Sequence, residues 1–235
     1  MSNSYFRFKQ FTIHQDKTAM KVGTDGVLLG VLTKPTFNPK RILDIGTGTG
    51  LIALMLAQRF EKSVIDAVEI DRDASEQALY NFRSSIFADR ISVFCTDISD
   101  YTPNFKYDLI VSNPPYFNNS LKAPDAQRSI ARHTDSLSFD KLAKSVARLL
   151  SDDGCFCVII PFDTMPILID IFNKNGLFVN YIITISHNEK KQPKRAVISF
   201  LNVNIDSVLK SNLYIEKSPN VYSDEFKSLV EPFYL

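Results

Sequence analysis

The chain has 235 residues, of which 45% are hydrophobic and 23% charged, enough apolar content for one substantial core and unlike a disordered polymer. Its 27 Lys and Arg stand against 26 Asp and Glu, a formal charge of +1, which excludes a protein that grips nucleic acid through bulk charge alone. A polyanionic partner would have to be met by local patches.

The first 40 residues are too few for a core of their own and are expected to pack, as an extension, on the main domain. Within them Gly23-Thr24-Asp25-Gly26 leads into Val27-Leu28-Leu29-Gly30, a turn followed by a helix with Thr24 or Asp25 as its cap. A helix packed on a sheet and a ligand-touching turn both suit that pattern. Residues 41–205 alternate short β-branched runs with helical-period segments, which predicts βαβ units. Strands are expected at 41–45, 64–69, 91–95, 107–112, 154–160, 178–186 and 195–204, with crossover helices at 49–60, 73–84, 138–150 and 163–174. The last two strands follow each other without a helix and form a C-terminal hairpin closing the edge of the sheet. The implied α/β fold is a doubly wound, Rossmann-like sheet of seven strands, mostly parallel with one antiparallel strand. Residues 206–235 read as a polar and aromatic tail with a short helix near 223–230.

Cys95, Cys155 and Cys157 and the scattered His14, His133 and His187 lack the ligand spacing of a tetrahedral metal site, so no metal is expected. No stretch reaches the roughly 18 apolar residues that span a bilayer, and there is no apolar leader. No membrane partner is expected, and a cytoplasmic location is the simplest reading.

The first chemical motif ends the 41–45 strand. Asp44 is followed by Gly46, Gly48 and Gly50 at alternate positions before a helix. Glycines there permit positive φ and let the backbone approach a ligand at the carboxyl edge of the sheet. A dinucleotide fingerprint would need glycine at position 51, which is Leu51, so a pyrophosphate site is disfavoured. The next strand ends at Glu69, where the ribose diol of a nucleoside would lie, followed by Ile70, which can cover one face of an adenine ring. The third ends near Asp97, placed to accept from the exocyclic amine of that adenine. Each acid alone is commonly a cap or a surface charge, but three at successive strand ends after a glycine loop point to an adenosine-type ligand.

These residues resemble the class I S-adenosylmethionine-dependent methyltransferases over roughly residues 40–205. The resemblance implies S-adenosyl-L-methionine as cofactor, with Asp44 and the Gly46–Gly50 loop around its methionyl part, Glu69 on the ribose and Asp97 at the adenine.

The fourth strand runs into Asn113-Pro114-Pro115-Tyr116-Phe117. Two prolines make the turn stiff, yet a rigid turn alone explains neither the preceding Asn nor the following aromatics. An exocyclic amine on an aromatic ring is a poor nucleophile because its lone pair is delocalised. If the Asn113 side-chain oxygen and the Pro114 carbonyl accept its two N–H groups, that lone pair is aimed at an incoming methyl. Tyr116 and Phe117 would stack on the base, with Pro115 beside them. Asn-Pro-Pro-Tyr is similar to the motif of amino-methyltransferases acting on adenine N6, cytosine N4, guanine N2 or glutamine amide, and so signals amine chemistry rather than one substrate.

Duplex-DNA enzymes usually need a target-recognition domain for which this chain has no room, and release-factor glutamine methyltransferases carry a helical domain that 40 residues cannot supply. RNA loops offer bases already unpaired. Residues 8–14, 19–30 and 222–235 are similar to the bacterial tRNA adenine-N6 methyltransferases that modify the adenine 3′ of the anticodon of a valine tRNA. That resemblance implies a tRNA anticodon loop as partner. It also implies that Lys21, Thr24 and Asp25 border the methionyl end or the active site, and that Arg128, Arg132 and His133 follow the clamp near the substrate. Basic residues in three segments, among them Lys17 and Lys21, Arg128 and Arg132, and Lys194 and Arg195, fit phosphate contacts, although each run alone is commonly a solvated face. A monomer is expected. The alternatives are another amine, in ribosomal RNA guanine or protein glutamine, and a non-catalytic RNA-binding subunit.

Overall fold

In the computed structural model, which describes residues 3–18, 21–115 and 137–235, the N-terminal residues form a small antiparallel pair. Its strands are β1 (Tyr5–Arg7) and β2 (Thr12–His14). Phe8 and Phe11 between them are buried, with rings 4.7 Å apart. Helix α1 (Thr24–Leu32) comes next, and its cap differs from expectation: Gly23 is the N-cap and no side chain bonds there. Thr24 is already helical, and the Asp25 carboxylate is instead engaged at 2.9 Å by Arg195.

The central strands are the apolar runs of the sequence. They are β3 (Arg41–Ile45), β4 (Val64–Glu69), β5 (Ile91–Cys95), β6 (Tyr107–Ser112), β7 (Leu150–Pro161), β8 (Phe178–Ser186) and β9 (Arg195–Leu201). Helices α2 (Leu51–Arg59), α3 (Arg72–Arg83), α4 (Phe139–Leu149) and α5 (Met165–Lys174) connect them. The tail supplies β10 (Leu209–Tyr214), a short antiparallel pair β11 (Glu216–Ser218) and β12 (Val221–Tyr222), and helix α6 (Asp224–Val230).

The sheet order is β10-β8-β9-β7-β6-β3-β4-β5. Every pairing is parallel except those of β9, which runs antiparallel to both β7 and β8. The doubly wound, mostly parallel architecture with one antiparallel strand is as read from the sequence. Among the described residues the sheet nevertheless has eight strands rather than seven, because β10 pairs with β8, so the hairpin does not close the edge. Four of the six β10 residues are exposed, and a solvated edge strand lacks the apolar alternation that marks a strand in sequence.

Alternate residues along the strands feed two cores on opposite faces. Ile42, Leu109, Cys155 and Cys157 pack with α1, α2 and the tail helix, whereas Leu43, Ile110, Phe156 and Val158 pack with α4 and α5. Phe172 lies between Phe156 and Phe200, with ring centroids at 5.3 and 4.7 Å. Among the described residues, no helix is long and apolar enough to cross a membrane, and no group of three His, Cys, Asp or Glu is placed to hold a metal ion.

Candidate active site

The chain turns to opposite sides of β3 when β4 and β6 are added, which opens a crevice at the carboxyl ends of β3 and β6, where such sheets bind ligands. The turn after β3 is set by Gly46, Gly48 and Gly50, with φ of 71°, 56° and 83°, a left-handed backbone that costs side-chain-bearing residues strain. A Cβ at Gly46 or Gly48 would meet nothing within 4 Å, whereas one at Gly50 would lie 2.4 Å from Phe82. The first two glycines thus leave an open cradle, and the third packs the loop on α3.

Backbone and side chains fix this loop. Gly46 and Thr47 donate to the Val68 carbonyl at 2.8 and 3.2 Å, and Gly48 N–H donates to Glu69 Oε2 at 2.8 Å. Glu69 Oε1 accepts the Asp71 N–H at 3.0 Å. Each Glu69 oxygen retains acceptor capacity. Asp44 is completely buried behind the loop, with Oδ2 accepting from Thr47 at 2.7 Å and Oδ1 without a partner. Desolvation raises its pKa to about 7, against the opposing effect of the Thr47 bond.

Two cavities meet at this loop. The first, about 490 Å³, is lined by Gly46, Gly48, Glu69, Ile70, Asp97 and Asn113, with Pro115, Lys17, Thr18 and Lys141 among its other walls. The second, about 450 Å³, is lined by Lys21, Thr24, Asp25 and Arg195 together with Gly46, Gly48 and Asn113. Asn113 comes directly after β6, whose last residue Ser112 donates to the Ile45 carbonyl at 2.9 Å, so the ends of β3 and β6 are tied and Asn113 stands beside the glycine cradle.

The structure brings together most of the expected residues it describes. Ile70 is 52% exposed, an apolar side chain left open at the cavity wall. Asp44 lines neither cavity and lies behind the loop. Pro114 is buried and Pro115 exposed; of the two, Pro115 reaches the first cavity. Arg195 borders the second, while its exposed neighbour Lys194 lines neither. Tyr116, Phe117, Arg128, Arg132 and His133 lie outside the described residues.

Lys141 is the functional candidate that sequence reasoning missed. It stands in the first turn of α4 and pairs with Asp97 Oδ2, while Asp97 Oδ1 accepts the Ser99 N–H at 2.8 Å. Burial pushes the Asp97 pKa up, but Lys141 and Ser99 outweigh it and hold the carboxyl below its ordinary value. A lysine 44 positions from its partner leaves no local sequence signal.

A glycine cradle at the end of the central strand, acids at or just beyond the ends of the next two strands and an Asn-Pro-Pro turn beside the cradle define a methyltransferase of the nucleoside-cofactor class. Residues 17–140 match the model of the methyltransferase small domain. The chain is 50% identical to the tRNA1(Val) (adenine(37)-N6)-methyltransferase of Bacteroides fragilis over 100% of this chain and 99% of that protein. It is 49% identical to the one from Phocaeicola vulgatus with the same coverage. In fold it is similar to a predicted O-methyltransferase from Agrobacterium tumefaciens, with TM-score 0.70, 18% identity and coverage of 89% and 96% of the two chains. It is likewise similar to a methyltransferase from Pyrococcus furiosus, with TM-score 0.58, 18% identity and coverage of 82% and 90%. The chain belongs to the methyltransferase small domain family and, within it, to the tRNA1(Val) (adenine(37)-N6)-methyltransferases.

Proposed function

We infer that this protein methylates the exocyclic N6 of adenine 37, 3′ of the anticodon, in a valine tRNA, with S-adenosyl-L-methionine as methyl donor. The relatives' shared activity supports the substrate. The observation that carries the chemistry is the position of Asn113, common to both cavities and next to the glycine cradle.

The residues present fit the cofactor. Gly46 and Gly48 leave open space where any side chain would intrude, and Asp44, buried behind them with its Oδ1 unpartnered, brings a carboxyl group close to the cradle. Glu69 keeps acceptor capacity for two ribose hydroxyls, Ile70 offers an apolar face to the adenine, and Asp97 accepts from its amine. S-Adenosylmethionine supplies a methyl group on a sulfonium, a good leaving group.

The Asn113 side-chain oxygen and the Pro114 carbonyl accept the two N–H groups of the target adenine and direct its nitrogen lone pair. No base is needed before attack, because the amine becomes acidic only after the N–C bond has formed and the C–S bond has broken; the proton then leaves to solvent. Tyr116 and Phe117 stack on the base, Pro115 borders it, and Lys194, Arg195, Arg128, Arg132 and His133 meet the anticodon loop. The protein works as a cytoplasmic monomer with an extension at 1–40, a catalytic domain at 41–205 and a tail at 206–235.

Labelled S-adenosylmethionine with valine tRNA, other tRNAs, ribosomal RNA and total protein, followed by nucleoside and amino-acid analysis, tests this reading. N6-methyladenosine at position 37 of valine tRNA is the expected product. Methylguanosine or methylglutamine would move the assignment to another amine, and no transfer to any acceptor would overturn it.

A further inference from the structure

The segment that brings Lys17 and Thr18 to the first cavity is held largely by side-chain amides. Asn81, on α3, is completely buried, with both Nδ2 hydrogens and its Oδ1 engaged. Its Oδ1 accepts the His14 N–H at 2.9 Å, and its Nδ2 donates to the His14 carbonyl at 2.9 Å and to the Thr49 carbonyl at 2.8 Å. One turn earlier Gln77, 3% exposed, accepts the Lys17 N–H at 3.0 Å. Asn81 therefore treats His14 as a neighbouring antiparallel strand would, exchanging both of its backbone bonds, and spends its remaining N–H on the glycine loop.

We propose that Asn81 is a positioning residue that couples the glycine loop to the N-terminal segment, so that filling the cofactor cavity and fixing residues 14–18 along its rim are one event. The proposal rests on the reading that this cavity holds S-adenosylmethionine. A staple that merely held the segment to α3 would need only the two bonds to His14. The third bond, to Thr49 between Gly48 and Gly50, turns the staple into a relay. A buried carboxamide cannot follow a shift of one partner without leaving a donor or acceptor of the other unpaired, which is costly inside a protein. The next residue, Phe82, packs directly against Gly50, so the same turn of α3 contacts the loop through both a polar and an apolar side chain. Gly46 and Gly48, in the same loop, border both cavities, and a ligand that settles the loop acts through Thr49 and Asn81 on His14 and, three residues on, Lys17.

Amide hydrogen exchange followed by NMR on the full chain reads the coupling at three groups: Gly48, which reports the loop, and His14 and Lys17, which report the segment. In the wild type, S-adenosylmethionine is expected to slow exchange at all three by at least about tenfold. In Asn81→Ala it still slows Gly48 but leaves His14 and Lys17 unchanged, and the cofactor Kd from calorimetry rises roughly 5- to 150-fold, the usual range for coupled sites. Cofactor that protects Gly48 but not His14 or Lys17 in the wild type would overturn the coupling, a measurement that stands even where the variant does not fold. Asn81→Ala exchange that accelerates by one factor with and without cofactor, at unchanged Kd, would reduce Asn81 to a staple and overturn it too. A wild type that shows neither calorimetric binding nor protection at Gly48 would overturn the cavity reading itself and the coupling with it.

Discussion

Lys141 reaches from the first turn of α4 to pair with Asp97 in the loop after β5, inside the first cavity. The pair joins two sides of that cavity and holds the Asp97 carboxyl below its ordinary pKa. Both side chains retain partial solvent contact, so Lys141→Met is expected to cost about 0.5–1 kcal/mol at neutral pH. Because the folded pKa of Asp97 lies below its unfolded value, that stabilisation is complete above the unfolded pKa and lost as pH falls through the folded one. Urea unfolding of wild type and variant should therefore differ at pH 7 and converge in strong acid; a difference that persists there would mean the ammonium stabilises something other than Asp97.

Asn113 and Glu69 are expected to divide chemistry from binding. Asn113→Ala is expected to lower kcat by at least about 100-fold, the scale of one lost transition-state contact, with the cofactor Kd nearly unchanged. Glu69→Ala should weaken cofactor binding first, by about 10- to 100-fold for the loss of a charged acceptor. Calorimetry alongside single-turnover rates separates the two, and collapse of cofactor binding in Asn113→Ala would reverse the roles.

Asp44 gives the site a pH dependence near neutrality. Its folded pKa, about 7, is above the ordinary 3.8, so the folded state binds the extra proton between these values. Its contribution therefore lowers stability as pH rises from about 4 to 7 and levels off above. Cofactor binding that uses the ionised carboxylate runs the other way and tightens as pH rises through 7. Asp44→Asn removes both slopes, and calorimetry between pH 6 and 8 checks the second; an identical pH profile in wild type and variant would clear Asp44 of this role.

Gly48 and Gly50 share a left-handed backbone but differ in surroundings. Gly48→Ala is expected to cost about 1–2 kcal/mol of stability from strain alone and to lose cofactor affinity, because its methyl group enters the cradle. Gly50→Ala adds the collision with Phe82 and should cost about 2–5 kcal/mol. Denaturation midpoints that rank the two the other way would refute this division.

With a net charge of +1, the proposed tRNA binding is expected to draw on local phosphate contacts rather than bulk charge. Binding by the free enzyme is expected to be weak and to fall linearly on a log–log plot against salt. Filter binding between about 50 and 200 mM salt measures the slope, and a salt-independent affinity would contradict it.

The bounds of β3, β4, β5, β6 and β8 coincide with those read from the sequence. Most residues of β3, β4 and β6 are buried beneath helices on both faces, which makes them largely apolar runs whose ends are marked by Gly46, Glu69 and Asn113. The glycine loop, Glu69 and Asn113 were legible for a related reason: all three sit where a strand stops, and strand ends are visible in one dimension. What stayed hidden depends on distant partners. Asp25 and Arg195 are 170 positions apart, so Asp25 looked like a helix cap. Asn81 and Gln77 looked like ordinary polar residues of α3, because their partners are backbone groups of another segment. β10 was invisible because its solvated residues carry no apolar rhythm.

Lys9 donates its backbone N–H to the Phe233 carbonyl at 2.8 Å and its ammonium to the Glu231 carbonyl at 2.6 Å, while the rings of Phe6 and Phe8 lie within about 6 Å of Tyr234. The covalent chain is thus close to a ring, with residues 6–9 and 231–234 as its clasp. Opening that clasp by trimming residues 231–235 would free the N-terminal hairpin on the side away from α3, and the loosening would travel along β2 to the cofactor rim, far from the cut in sequence. Joining the two ends through a short linker and reopening the chain at the exposed turn around Asn220 would instead preserve the clasp and leave the rim in place.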